Sequence, residues 1–177
     1  MSGINLLFIL FISLTPLETI KEKNSLLEEA ARKNSNEMAE KIIEEMIDFD
    51  EMAKNALGKN ISKFAPVQKT RFFKLFKELL KKSSIKKISS YQADRIHFLR
   101  EEEKDGSALV YTTVYKGKEK TDVIYVMKKK DENWKVVDII INETSITKNF
   151  NSQYTNIINK EGVEGLLKKM EKKLKEE

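Results

Sequence analysis

The spacing of apolar residues divides this sequence into two helical parts with an alternating part between them. Between residues 18 and 80, apolar side chains recur at offsets of three, four and seven, which is the pattern of amphipathic helices. After Ser83 apolar and polar residues alternate, as in half-buried β-strands, and helical spacing returns after Asn142. Helices on both sides of a run of strands predict an α+β fold, with helices covering one face of a sheet.

Recognisable helix ends occur in the first helical part. A helix over residues 38–47 is expected to begin near Asn34 or Ser35, because these residue types cap the first turn of a helix. The block DFDEMAKNALG predicts a short helix that ends at its glycine, Gly58, and Pro66 predicts the start of a longer helix. We therefore expect several helices before the first strand.

Four strands and the turns between them are predicted in the alternating part. The strands lie around Ile96 and Phe98, over residues 108–115, over residues 123–127 and over residues 134–142. Turn-forming residues separate them, including Gly106 and Gly117. Because the turns are short, neighbouring strands must run antiparallel. We predict a curved antiparallel sheet of four or five strands, in the manner of an NTF2-like roll.

The strand over residues 134–142 passes almost directly into another helical segment. Phe150, Tyr154, Ile157 and Ile158 follow at offsets that place them on one helical face. Because the connection is short, this face is expected to lie on the sheet. A second helix is expected to continue to Leu167.

A single domain accounts for the chain after its first residues. The sequence has 177 residues, 40% of them apolar, and no cysteine, so one hydrophobic core can form without disulfides. The apolar segment at residues 4–14 is too short to span a bilayer core of ~30 Å as a helix, and it predicts an export signal over residues 1–17. Residues 18–177 are then the domain. A retained segment at a membrane interface is the alternative, since no basic residue precedes the apolar run.

Composition and motifs argue against catalytic, metal and nucleic-acid sites. The net charge is +5, but lysines are interspersed with glutamates, which is typical of a solvated surface. His97 is the single histidine and cysteine is absent, so neither a histidine-based triad nor a zinc site is indicated. The glycines are scattered and form no phosphate-binding loop. The sequence therefore predicts a protein that is not an enzyme and that binds no cofactor, metal or nucleic acid.

Apolar side chains that could line a cavity between the helices and the sheet remain as the candidate site. A filled core uses the same residue types, so the sequence leaves both interpretations open. The candidate lining residues are Phe49, Met52, Leu57, Phe72, Phe76, Leu79, Ile96, Val110, Tyr125, Met127, Ile139, Ile141, Phe150 and Tyr154.

Four blocks of the sequence resemble successive segments of the MlaC, or toluene-tolerance, family. The blocks are DFDEMAKNALGKN, FAPVQKTRFFKLFKELL, SYQADRI and NWKVVDIIINETSITKNFNSQYTNIINKEGVEGLL, in the family's order over most of residues 48–167. The last block resembles the family's tryptophan-led strand and the helix after it. It has Asn151 before Ser152, where arginine is usual in the family.

An exported phospholipid carrier is what this resemblance implies. Such a protein is soluble in the periplasm and holds the acyl chains of a phospholipid in an apolar cavity. It exchanges the lipid with an inner-membrane ABC transporter complex and an outer-membrane lipoprotein complex, a system that serves outer-membrane lipid asymmetry. No covalent step is involved, and we expect a monomer.

Two functions of other classes stay open. One is a small NTF2-like enzyme that uses a cavity carboxylate, Asp138 or Asp122, and a buried carboxylate facing the helices would favour it. The other is a membrane-associated interaction module held by an uncleaved N-terminal segment.

Overall fold

The computed structural model describes residues 13–90 and 94–176, and gives only the backbone for residues 87–90. Most of the apolar segment assigned to an export signal, residues 4–14, lies outside the described residues. The boundary after residue 17 stays a prediction, although the first helix already begins at Pro16. Within the described residues, no helix has the length and hydropathy needed to cross a bilayer.

Helices precede and follow a five-stranded sheet. The helices are α1 (Pro16–Arg32), α2 (Asn36–Met46), α3 (Phe49–Leu57), a 3₁₀ helix (Gly58–Lys63), α4 (Pro66–Ser90) and α5 (Ile146–Glu176). The strands are β1 (Arg95–Lys104), β2 (Ser107–Lys116), β3 (Glu119–Lys130), β4 (Asn133–Ile141) and β5 (Thr144–Ser145). The α+β prediction, with helices on either side of an antiparallel sheet, is confirmed.

Local capping explains where the helices begin and end. The Ser35 hydroxyl accepts a hydrogen bond from the Met38 amide and caps α2, and the Asp48 carboxylate does the same for α3 through the Glu51 amide. Gly58 ends α3 with a φ of 51°, a left-handed conformation that glycine adopts without steric cost. These ends agree with the predictions from the sequence.

The strands pair in sequence order as an antiparallel meander, β1-β2-β3-β4-β5. The turns contain residues with positive φ, as tight hairpins of right-twisted strands require. Asn142 and Glu143 supply this conformation between β4 and β5 with φ of 44° and 66°. The short β5 then leads directly into α5.

Bulges bend the sheet at two places. In β1, Leu99 has no partner on β2. In β4, Val137 has no partner on β3, because Val126 pairs with Asp138 and Met127 pairs with Val136. A bulge turns successive side chains out of strict alternation. Val136 and Val137 are accordingly both buried, while Leu99 is 60% exposed.

A helix layer covers one face of the sheet, and the main hydrophobic core lies between the layers. The largest fully buried side chains come from both sides, including Phe72 and Met52 on helices and Val110, Met127 and Val136 on strands. The link between α2 and α3 is tied to the sheet as well, because the Asp48 amide donates to the Val136 carbonyl at 3.0 Å.

Two elements differ in extent from the sequence-based expectation. Helix α4 continues to Ser90, because Leu80 and Ile85 pack on the core and Lys81 is held by acidic side chains of α2 and α4. The two helices predicted after the sheet are the two parts of α5, divided by a kink at Gly162, where φ is 72° and ψ is 178°, and the second part continues beyond Leu167 to Glu176.

Candidate functional site

Most of the apolar residues predicted to line a cavity lie in one packed cluster. Eight of them are buried core residues: Phe49, Met52, Leu57, Phe72, Phe76, Val110, Met127 and Tyr154. Four more, Leu79, Tyr125, Ile139 and Phe150, are partly buried and pack against this cluster. Ile96 and Ile141 do not join it, and Ile141 is 36% exposed at the end of β4.

An apolar cleft remains open between α4 and α5. Its volume is about 170 Å³. It is lined by Phe76, Leu79, Leu80 and Ser83 of α4 and by Phe150, Gln153, Tyr154, Ile157, Leu166, Lys169, Met170 and Lys173 of α5. Four residues of the predicted set therefore meet at this cleft, namely Phe76, Leu79, Phe150 and Tyr154.

Aromatic rings form the wall of the cleft towards the core. The Tyr154 ring stacks on Phe150 and meets Phe72 edge-on, with centroid distances of 5.6 Å in both pairs. Phe150 in turn meets Phe76 edge-on at 5.7 Å. Such geometries are favourable for aromatic pairs, so packed rings define this wall.

Polar and charged side chains complete the lining of the cleft, namely Ser83, Gln153, Lys169 and Lys173. Away from this lining, Arg71 of α4 joins two acidic residues of α5, with its Nη1 at 2.8 Å from Glu164 and its Nε at 2.7 Å from Glu171. These hydrogen bonds from Arg71 hold the pKa of both carboxyl groups below the ordinary value. Lys169 pairs with Glu161 at 2.6 Å. The cleft thus has an apolar interior and an ionic border.

Several lining residues were missed by the sequence reasoning. Leu80, Leu166 and Met170 were not assigned to a cavity, although Leu166 and Met170 are spaced four residues apart and share a helical face. That spacing was a usable signal for a second apolar helix face. The spacing could not indicate that this face lies opposite α4.

The carboxylates considered for an enzyme lie away from this cleft. Asp122 is exposed on the face of the sheet that is opposite to the helix layer. Hydrogen bonds from Thr113 and Lys120 lower its pKa there. Asp138 accepts hydrogen bonds from the Ser145 hydroxyl at 2.5 Å and from the Thr147 amide at 3.0 Å. It therefore fixes the corner between β4 and α5, and neither group faces the cleft.

Asn151 has a structural contact at the position where arginine is usual in the family. Its Nδ2 donates to the Ala56 carbonyl at 3.1 Å, near the end of α3. A Cβ atom built on Gly58 would lie 2.8 Å from this nitrogen. The pair fits because residue 58 has no side chain, and Asn151 ties α5 to the end of α3.

Metal-binding geometry is not found in the described part of the chain, where no three His, Asp or Glu side chains converge as ligands. His97 is exposed on β1 with its ring centroid 5.0 Å from that of Tyr115. The chemistry available at the cleft is therefore apolar contact, together with hydrogen bonding and charge at its border.

Comparison with known proteins places this arrangement in a family. The sequence model described as MlaC protein matches residues 15–172. A similar fold is found in a phospholipid-binding protein from Ralstonia solanacearum, solved in complex with a phospholipid. The TM-score is 0.78 at 20% identity, over 89% of this chain and 96% of that one. No curated protein matches the chain.

Proposed function

This chain belongs to the MlaC family, and from that premise we propose that it carries phospholipid, with the acyl chains entering the cleft between α4 and α5. The observation that carries the proposal is the cleft itself. It joins an apolar interior to a border that contains Lys169 and Lys173, which suits a molecule with apolar chains and a charged headgroup. The phospholipid bound by the Ralstonia solanacearum protein of similar fold gives further support.

Acyl chains need more room than the cleft now offers. Its volume of about 170 Å³ is below the roughly 300–1,000 Å³ of typical ligand pockets. Helices α4 and α5 must therefore separate when lipid enters. The part of α5 after Gly162 is suited to such a movement, because a kink already divides it from the part packed near the sheet.

Reversible exchange is consistent with the energetics of a closed apolar site. Two chains of about 16 carbons would gain roughly 25 kcal/mol by leaving water, above the practical limit of noncovalent affinity at about 20 kcal/mol. A lipid that comes from a bilayer, however, loses its apolar contacts with the bilayer interior and gains similar contacts in the cleft. Transfer can then be nearly neutral, with its direction set by the donor and acceptor.

The cellular setting follows from the same proposal. We infer that residues 1–17 direct export and that the protein works in the periplasm. It would exchange lipid between an inner-membrane ABC transporter complex and an outer-membrane lipoprotein complex. The apolar run at residues 4–14 and the family membership support this setting.

Native mass spectrometry tests carriage and export together. The full sequence is expressed in bacteria with two membranes, and the protein is purified without added lipid. We expect a chain shortened at its N-terminus that carries diacyl phospholipid. A lipid-free preparation that takes up none from phosphatidylglycerol vesicles would contradict the carrier function. Lipid on a chain that retains Met1 would contradict export alone.

A further inference from the structure

Tyr154, which lines the cleft, carries a hydroxyl group that the fold does not need. Its ring contacts with Phe72 and Phe150 involve the aromatic faces and edges alone, so phenylalanine would pack equally well. The residue is 8% exposed, and its hydroxyl has no hydrogen-bond partner within the described residues. Buried polar groups normally have partners, so an unpaired hydroxyl calls for an explanation.

This hydroxyl is not fully enclosed. No fully enclosed side-chain oxygen or nitrogen of the described residues lacks a partner, so the Tyr154 oxygen must retain a small accessible surface. Because Tyr154 lines the cleft, we infer that this surface faces a ligand bound there. Burial raises the pKa of the hydroxyl, which keeps its proton at neutral pH and leaves it able to donate.

The position of Tyr154 within the cleft indicates which part of a lipid it meets. Phe76, Leu166 and Met170 are buried beside it, whereas Gln153, Lys169 and Lys173 are exposed at the border. A phosphate is too costly to desolvate at a buried site and belongs at the border. A neutral ester carbonyl accepts hydrogen bonds and can be buried beside a donor.

We propose that the Tyr154 hydroxyl donates a hydrogen bond to an ester carbonyl of the bound lipid, and so selects ester-linked over ether-linked phospholipids. This inference rests on the proposed carrier function, since it assigns one residue of the same cleft. It fixes the depth of the lipid: the glycerol esters lie at Tyr154, with the chains inside and the phosphate towards the border.

Competition between two lipids tests this assignment. Wild-type protein and Tyr154→Phe are each incubated with equal amounts of dioleoyl phosphatidylglycerol and its dialkyl ether analogue, and bound lipids are distinguished by mass. One hydrogen bond corresponds to a preference of about fivefold to tenfold. We expect wild type to prefer the ester by this factor and Tyr154→Phe to bind both lipids equally. Tyr115→Phe, which removes a hydroxyl on the opposite face of the sheet, should behave as wild type.

The other outcomes contradict either the role of Tyr154 or the carrier function. Equal binding of ester and ether by wild type, or an unchanged ester preference in Tyr154→Phe, refutes the role of Tyr154 and leaves carriage intact. A lower melting temperature of lipid-free Tyr154→Phe would show that the hydroxyl stabilises the fold instead. Failure of wild type to bind either lipid refutes the proposed function, and this inference with it.

Discussion

Single residues in this protein join helices to the sheet through charge as well as packing. Asp48 caps α3 and also receives a hydrogen bond from Lys130 of β3 at 2.8 Å. Burial alone would raise the pKa of Asp48. The hydrogen bonds from Lys130 and the Glu51 amide outweigh that effect and place the pKa below its ordinary value of 3.8. The charged form of Asp48 therefore stabilises the folded state.

Asp48→Asn should lower stability in a pH-dependent way. Asparagine keeps the cap but loses the ion pair, so we expect a loss of about 0.5–1 kcal/mol in the free energy of unfolding at pH 7. Because the folded pKa is depressed, the contribution of Asp48 is present above pH 3.8 and is lost as pH falls through the folded pKa. Urea unfolding at pH 7 and below pH 3 measures this difference. Asp50→Asn is the control, because Asp50 is exposed in the same helical turn and forms no direct ion pair with Lys130 within the described residues. A difference independent of pH would contradict the prediction.

Among the elements, α5 is unusual because one glycine divides it. Its first part carries the rings that pack on α4, and its second part is joined to α4 by the ion pairs of Arg71 with Glu164 and Glu171. Gly162 has a conformation, φ 72° and ψ 178°, that is almost closed to residues with a side chain. The backbone at one residue thus sets the direction of the second part.

Gly162→Ala should destabilise the protein through the backbone alone. A Cβ atom at this position meets nothing within 4 Å, so no steric clash contributes. The expected loss is about 1–3 kcal/mol in the free energy of unfolding, the usual cost of a strained backbone conformation. Thermal or urea unfolding measures it, with the exposed Lys160→Ala as the control in the same helix. A variant as stable as wild type would show that the kink is not required.

In the whole molecule, the packed core and the cleft share some of their residues. Phe76 is 2% exposed and belongs to the core cluster, yet it also lines the cleft. A polar replacement of Phe76 would destabilise the fold, so its effect on lipid binding could not be measured separately. Ile157 is half-buried in the cleft and is the better probe, because the open volume lies beside it.

Ile157→Trp should block lipid without unfolding the protein. The larger ring fills part of a cleft of about 170 Å³, so we expect bound phospholipid to fall by about fivefold or more, equivalent to roughly 1 kcal/mol. Lipid extraction from purified protein measures occupancy, and thermal unfolding checks the fold. Val67→Trp, on α4 at a position 79% exposed, is the matched control. Wild-type occupancy in Ile157→Trp would place the acyl chains elsewhere.

Local sequence rules were sufficient for the elements and much of their order. Helix caps, glycine stops and hairpin turns depend on neighbours within four residues, so Ser35, Gly58 and Gly106 could be interpreted directly. The order of helical and alternating segments predicted the α+β fold, and the family blocks added the expectation of a phospholipid carrier. The sequence also identified apolar residues that could line a cavity. It did not distinguish those that fill the core from those that border the cleft.

Only the tertiary structure made that separation, because burial depends on two surfaces that are distant along the chain. Phe72 and Ile157 both lie on apolar helix faces, yet one is fully enclosed and the other borders the cleft. The unpaired hydroxyl of Tyr154 became visible only once its surroundings were known. The contact of Asn151 with Gly58 was likewise visible only in the structure. These residues are 93 positions apart and meet only because α5 packs on the end of α3.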